Sequence, residues 1–179
     1  MAAQLVAVAV ALGVIALTFA SSAEAASPEP APAPTPNDGI DVTCVVYLAA
    51  TGPANTAGII PAEAESLGCY RSDQTARYTT QAAGVIIGQD WDGEQFTGDS
   101  LVWRADAGCT DNRGWEDGFI GDAWNNRASS AAGSSGCNKF NHFQKPQFEG
   151  LNIACGIIRA CDSMGNMNNL TSSERWRHI

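Results

Sequence analysis

Two short stretches of this chain are rich in oxygen-bearing side chains of the kind that hold a hard cation. Trp124 leads into Asn125-Asn126-Arg127-Ala128-Ser129-Ser130, and Met167 leads into Asn168-Asn169-Leu170-Thr171-Ser172-Ser173. Both fit one template: two Asn/Asp positions, two free positions, Ser/Thr, then Ser. Ca²⁺ takes six to eight oxygens, many of which can come from amides, hydroxyls, backbone carbonyls or water rather than carboxylates. All four leading positions are neutral Asn, so the expected affinity falls toward the ~10⁻⁴ to 10⁻³ M extracellular regime. Arg127 adds a positive charge that opposes the ion if its side chain folds inward.

A second repeat sets the scaffold for the first. Trp91-Asp92-Gly93-Glu94-Gln95-Phe96-Thr97-Gly98 and Phe143-Gln144-Lys145-Pro146-Gln147-Phe148-Glu149-Gly150 both read aromatic, four residues, aromatic, one residue, glycine. The physics is a folded hairpin: the glycine supplies a left-handed backbone at low cost, and the two aromatics cover the bend. Each hairpin pattern precedes one oxygen-rich stretch, and each stretch runs into a strand, Ser-Ser-Ala-Ala in one case and Ser-Ser-Glu-Arg-Trp in the other. Two patterns, each occurring twice in the same order, mark an internal duplication.

In this combination residues 81–179 resemble a microbial βγ-crystallin domain with its two Greek-key motifs. The resemblance implies an all-β, βγ-crystallin-like Greek-key sandwich, with motif one at 82–136 and motif two at 137–179. It also implies a double calcium clamp. Side-chain oxygens would come from Asn125, Asn126, Asn168 and Asn169, and backbone carbonyls from Arg127 and Leu170. The hydroxyls of Ser129 and Ser172 would each serve the site built mainly by the other motif. The competing reading is that Asn-Asn and Ser-Ser satisfy only their own backbones, as in Asx and Ser/Thr turns.

Residues 39–81 lie outside the resemblance and read as a small disulfide-linked N-terminal unit. Its first part, Asp-Val-Thr-Cys-Val-Val-Tyr-Leu-Ala-Ala at 41–50, suits a strand. Short helices are expected at 61–68 and 72–83, the second capped by Ser72. Before it, residues 1–25 read as a signal peptide, apolar over 5–20 and ending in a small-x-small cleavage pattern, although no Lys or Arg precedes the apolar run. Residues 26–38 carry five of the chain's 8 prolines and read as an extended tether.

An exported chain with six cysteines is expected to hold three disulfides. The expected pairs are Cys44 with Cys69, Cys109 with Cys137, and Cys155 with Cys161; Cys137 with Cys155 stays open as an alternative. No Cys-x-x-Cys spacing occurs and only two histidines exist, which argues against a zinc or iron site. The net charge of -9 and pI near 4.5 argue against nucleic acid or an anionic membrane as partner.

Other motifs do not hold up. Gly98-Asp99-Ser100-Leu101 spells the block of a GDSL-type esterase, but neither His142 nor His178 follows an Asp by three residues. Asp90-Trp91-Asp92-Gly93-Glu94 lacks the spaced acids of an EF-hand loop. Asn169-Leu170-Thr171 is a glycosylation sequon, and a glycan there is incompatible with a clamp. The tryptophans read as sandwich core, with Trp103 and Trp176 in strands and Trp115 in a loop. The expectation is therefore a secreted, extracellular, monomeric, non-enzymatic calcium-binding protein, free of membrane once its signal is cleaved. The alternatives are a metalloproteinase inhibitor of similar fold, which implies a secreted protease as partner, or a killer-toxin-like protein with a cell-surface target.

Overall fold

The computed structural model describes residues 40–71, 83–156 and 160–179, and they form an all-β structure of ten strands. In chain order these are β1 (Val42–Ala50), β2 (Ile59–Arg71), β3 (Val85–Trp91), β4 (Ser100–Ala105), β5 (Gly114–Asp117), β6 (Ser130–Gly133), β7 (Lys139–Lys145), β8 (Glu149–Cys155), β9 (Ala160–Cys161) and β10 (Ser173–Arg177). They are hydrogen-bonded in the order β8-β7-β10-β5-β2-β1-β4-β3-β6-β9. The β1–β2 hairpin divides this order into two sets of four. One set, β4-β3-β6-β9, takes three strands from residues 85–133 and one from later in the chain. The other, β8-β7-β10-β5, takes three late strands and one early one. Strands β5 and β9 are thus exchanged between the halves.

The two ends of the order are tied covalently. Cys155 ends β8 and Cys161 ends β9, and a disulfide joins them. Cys44–Cys69 crosses the β1–β2 pair and Cys109–Cys137 ties the segment after β4 to the approach to β7. All three expected pairings are present and no cysteine is free.

The hairpin expectation rests on backbone geometry and holds at both copies. Gly98 and Gly150 have φ of 81° and 80°. Trp91 meets Phe96 edge-on at 5.2 Å between ring centroids, and Phe143 meets Phe148 at 5.6 Å. In each fold the second aromatic donates its backbone N–H to a serine hydroxyl, Phe96 to Ser130 and Phe148 to Ser173, both at 3.0 Å. Each serine in turn donates to a carbonyl of its hairpin, Gly93 at 2.6 Å and Lys145 at 2.7 Å. The last residue of each six-residue stretch therefore locks the hairpin that precedes it.

Two local expectations are corrected. Residues 61–68 are not helical but lie inside β2, whose parallel pairing with β5 and antiparallel pairing with β1 outweigh helix propensity. Trp115 is in strand β5, not a loop, and is buried. The helix expected at 72–83 falls almost wholly outside the described residues. Strand β1 also pairs in parallel with β4, so residues 42–71 join both sets of strands.

Alternation decides what the strands bury. In β7, Phe140 and His142 face inward, and in β10, Glu174 and Trp176 do. Trp176 packs against Trp103 of β4 with ring centroids 4.8 Å apart, and Ile87, Leu101, Met164 and Met167 fill the same core.

Candidate functional site

Each oxygen-rich stretch is a loop pinned at both ends. Trp124 and Met167, just before the loops, are buried and act as anchors. The second Asn of each pair turns the chain with a left-handed backbone, φ 62° at Asn126 and 57° at Asn169, a conformation that Asn tolerates better than most residues. The loops exchange backbone hydrogen bonds: Asn126 N–H donates to the Thr171 carbonyl (2.8 Å) and Asn169 N–H to that of Ala128 (2.9 Å). Ser129 N–H donates to the Trp91 carbonyl (2.7 Å) and Ser172 N–H to that of Phe143 (2.8 Å). Each loop therefore leans on the other and on the first aromatic of a hairpin.

This pairing brings side-chain oxygens together across the two halves. Ser172 Oγ lies 2.6 Å from Asn125 Oδ1, and Ser129 Oγ lies 3.1 Å from Asn169 Oδ1. The Arg127 carbonyl is 3.5 Å from Ser129 Oγ, and the Gln144 carbonyl is 2.9 Å from Ser172 Oγ. In each cluster the serine hydroxyl donates to the amide oxygen of the other loop, so the contacts are hydrogen bonds that gather neutral oxygens from both loops. Asn168 Oδ1 is buried with no hydrogen-bond partner among the described residues. Of the eight expected ligand residues, Asn125, Arg127, Ser129, Asn169 and Ser172 are drawn into these two clusters. Asn126 contributes its backbone N–H, Asn168 bonds Gly165 and Leu170 bonds Met167 through their own N–H groups.

The Arg127 charge is compensated. Its guanidinium donates to Asp92 Oδ2 (2.6 Å) and Asp99 Oδ2 (3.0 Å) and lies over the Trp124 ring at 4.6 Å. Only its backbone carbonyl is presented to the Ser129 cluster. Ser100 of the esterase-like block is buried and its hydroxyl donates to Thr43 Oγ1 (3.0 Å), inside the β1–β4 pair.

A second group of polar side chains lies in the core. Asp90 of β3, His142 of β7 and Glu174 of β10 are 2%, 0% and 1% exposed. His142 Nδ1 is 3.2 Å from Glu174 Oε1 and its Nε2 is 3.8 Å from Asp90 Oδ1. Trp103 Nε1–H donates to Asp90 Oδ2 at 2.5 Å. Burial pushes Asp90 well above the ordinary carboxyl range, with Glu174 adding to the effect, and pushes Glu174 up to about 8. Burial pulls His142 down. Sequence spacing gave no sign of this group, because its members are scattered over three strands. One signal was available: Asp90 and His142 each stand immediately before the first aromatic of a hairpin, so aligning the two repeats puts both in one core-facing register.

Comparison with family models, with curated proteins and with solved structures gives no match to this chain.

Proposed function

We propose that this chain is a secreted, non-enzymatic calcium-binding protein of βγ-crystallin type, in which two loops from two Greek-key motifs build a reciprocal pair of ion sites. The observation that carries this reading is the crossed pairing of Ser172 with Asn125 and Ser129 with Asn169. In each cluster a hydroxyl from one half meets an amide oxygen from the other, which is the cross-supply expected of a double clamp. An isolated Asx or Ser/Thr turn needs no such crossing, since its hydrogen bonds are local.

The strand order is compatible with two packed motifs, since each half lends one strand, β5 or β9, to the other. Each cluster offers few protein oxygens and no carboxylate among the loop ligands, so water completes the shell and binding is weak, ~10⁻⁴ to 10⁻³ M. Three disulfides fit an oxidising, extracellular setting, and no helix of the described residues is long and apolar enough to cross a membrane. The enclosure of Ser100 counts against the esterase-like reading of its block. Comparing melting in EDTA, in Ca²⁺ and in Mg²⁺ tests the reading: Ca²⁺ raises the transition and Mg²⁺, which resists giving up its waters, does so much less.

A further inference from the structure

We propose that Asp90, His142 and Glu174 form a second metal site, buried between the two sets of strands, that takes one divalent first-row cation of the zinc class. It is separate from the calcium loops in residues and in chemistry, and it stands whether or not those loops bind calcium.

The geometry supplies the donors. One ligand atom from each of the three residues lies within 4.8 Å of the other two. Bond lengths of roughly 2.0–2.2 Å to nitrogen and oxygen bring ligand atoms to about 3.4 Å from one another around a tetrahedral ion, so modest side-chain rotation closes the site. His142 Nε2 and Asp90 Oδ1, 3.8 Å apart, are already near that spacing.

The surroundings complete what such a site needs. Among the described residues both nitrogens of His142 are buried without a hydrogen-bond partner, and the carboxyl of Glu174 has only the neighbouring acid Asp90 to share a proton with. Groups of this kind are costly when left unmatched, and more so if charged. Glu174 Oε1 stands 3.2 Å from Nδ1 without a hydrogen bond to it, and Asp90 Oδ1 stands 3.8 Å from Nε2, so the imidazole lies between the two carboxylates and has a nitrogen free to bind an ion. Trp103 holds the other oxygen of Asp90 by its indole N–H.

Charge points to a divalent ion. The charged groups acting on Asp90 and Glu174 are each other, His142 and Asp117, three acids and one imidazole. In a core of Trp103, Trp176 and Phe140 burial favours the protonated, neutral carboxyls, and a divalent cation that takes the place of those protons cancels the -2 of the two ionised carboxylates. Imidazole with carboxylates in a closed site suits zinc among abundant divalent ions better than calcium, which prefers more numerous oxygens. Since Asp90 belongs to one set of strands and the other two residues to the second, the ion crosslinks the halves of the core.

The test uses the untagged, oxidised full chain, refolded with Zn²⁺ alone or Co²⁺ alone and then desalted, because a fully enclosed site fills only as the protein folds. The expected result is about one equivalent of zinc retained, and visible d–d absorption from the cobalt form. His142→Gln should lose the zinc while its calcium response stays that of wild type, and His178→Gln, which alters the surface histidine near Asp111, should retain it. Folded wild-type protein with no retained zinc and no cobalt absorption overturns the proposal and leaves protons as the neutralising species. Loss of metal in His178→Gln but not His142→Gln also overturns it. Should His142→Gln fail to fold, the wild-type cobalt spectrum decides alone.

Discussion

Ser172 Oγ sits 2.6 Å from Asn125 Oδ1, a residue 47 positions earlier in the chain and in the other half of the fold. The mirror contact, Ser129 with Asn169, is 3.1 Å long. Neither pair belongs to a strand ladder, and both depend on the two loops lying side by side. The proposal of calcium binding rests on these two contacts, so the first prediction is aimed at them.

Ser129→Ala and Ser172→Ala should each weaken calcium binding without abolishing it, since water can replace one neutral ligand. Both hydroxyls are buried and hydrogen-bonded, so each variant should also lose about 1 kcal/mol of stability without calcium. Titration calorimetry and melting in EDTA measure the two effects separately. Normal calcium affinity in both variants would remove the serines from the ligand set.

Gly98→Ala should behave in the opposite way. At φ 81° a side chain costs roughly 1–2 kcal/mol, and the added Cβ also meets Asp92 Oδ1, displacing a carboxylate that holds Arg127. The expected outcome is a lower melting temperature by a similar amount in EDTA and in Ca²⁺. A loss seen only with calcium would mean that this hairpin shapes the ion site more than the fold.

The Arg127 side chain is predicted to be no obstacle to calcium. With its guanidinium held by Asp92 and Asp99 and only its carbonyl turned to the cluster, Arg127→Gln should leave affinity unchanged or raise it by no more than about threefold. The half-exposed ion pairs it gives up are worth at most about 1 kcal/mol of stability. A tenfold loss of affinity in the variant would show that the side chain, and not the carbonyl, organises the loop.

The Cys155–Cys161 bridge spans only 6 residues, against 28 for Cys109–Cys137. Loop entropy then gives roughly 2 kcal/mol for removing the first and roughly 3.5 kcal/mol for removing the second. The short bridge nonetheless joins the two ends of the strand order, and β9 is held otherwise by a two-residue pairing with β6. Cys155→Ser with Cys161→Ser should therefore speed amide exchange in β9 and β6 more than in the rest of the fold. Uniform exchange across the strands would contradict that role.

What could be read ahead of the structure were the features carried by local chemistry. Gly98 and Gly150 declared their bends because little but glycine sits there easily, and the aromatics flanking them had to meet over the turn. The cysteine pairs followed from order along the chain and from the resemblance. The placement of 61–68 was missed because Ala, Glu and Leu there favour a helix, while the antiparallel pairing with β1 that makes nearly all of the segment a strand leaves no mark in helix propensity. The triad of Asp90, His142 and Glu174 was hidden for a related reason: a cluster assembled by three strands leaves no spacing in the sequence. The eight candidate calcium ligands were named from the resemblance that the repeat carries, yet only the fold shows that the hydroxyls of Ser129 and Ser172 reach across to amide oxygens of the other half.

The most direct test of the calcium proposal is a calorimetric titration of the oxidised wild-type chain with Ca²⁺, paired with melting in EDTA and in several millimolar Ca²⁺. The account predicts two weak sites per chain in the ~10⁻⁴ to 10⁻³ M range, and a transition that rises with free Ca²⁺, by ~2.7 kcal/mol at a hundred times the dissociation constant. A flat titration together with superimposed melting curves would contradict it and reduce the crossed serine–asparagine pairs to structural hydrogen bonds.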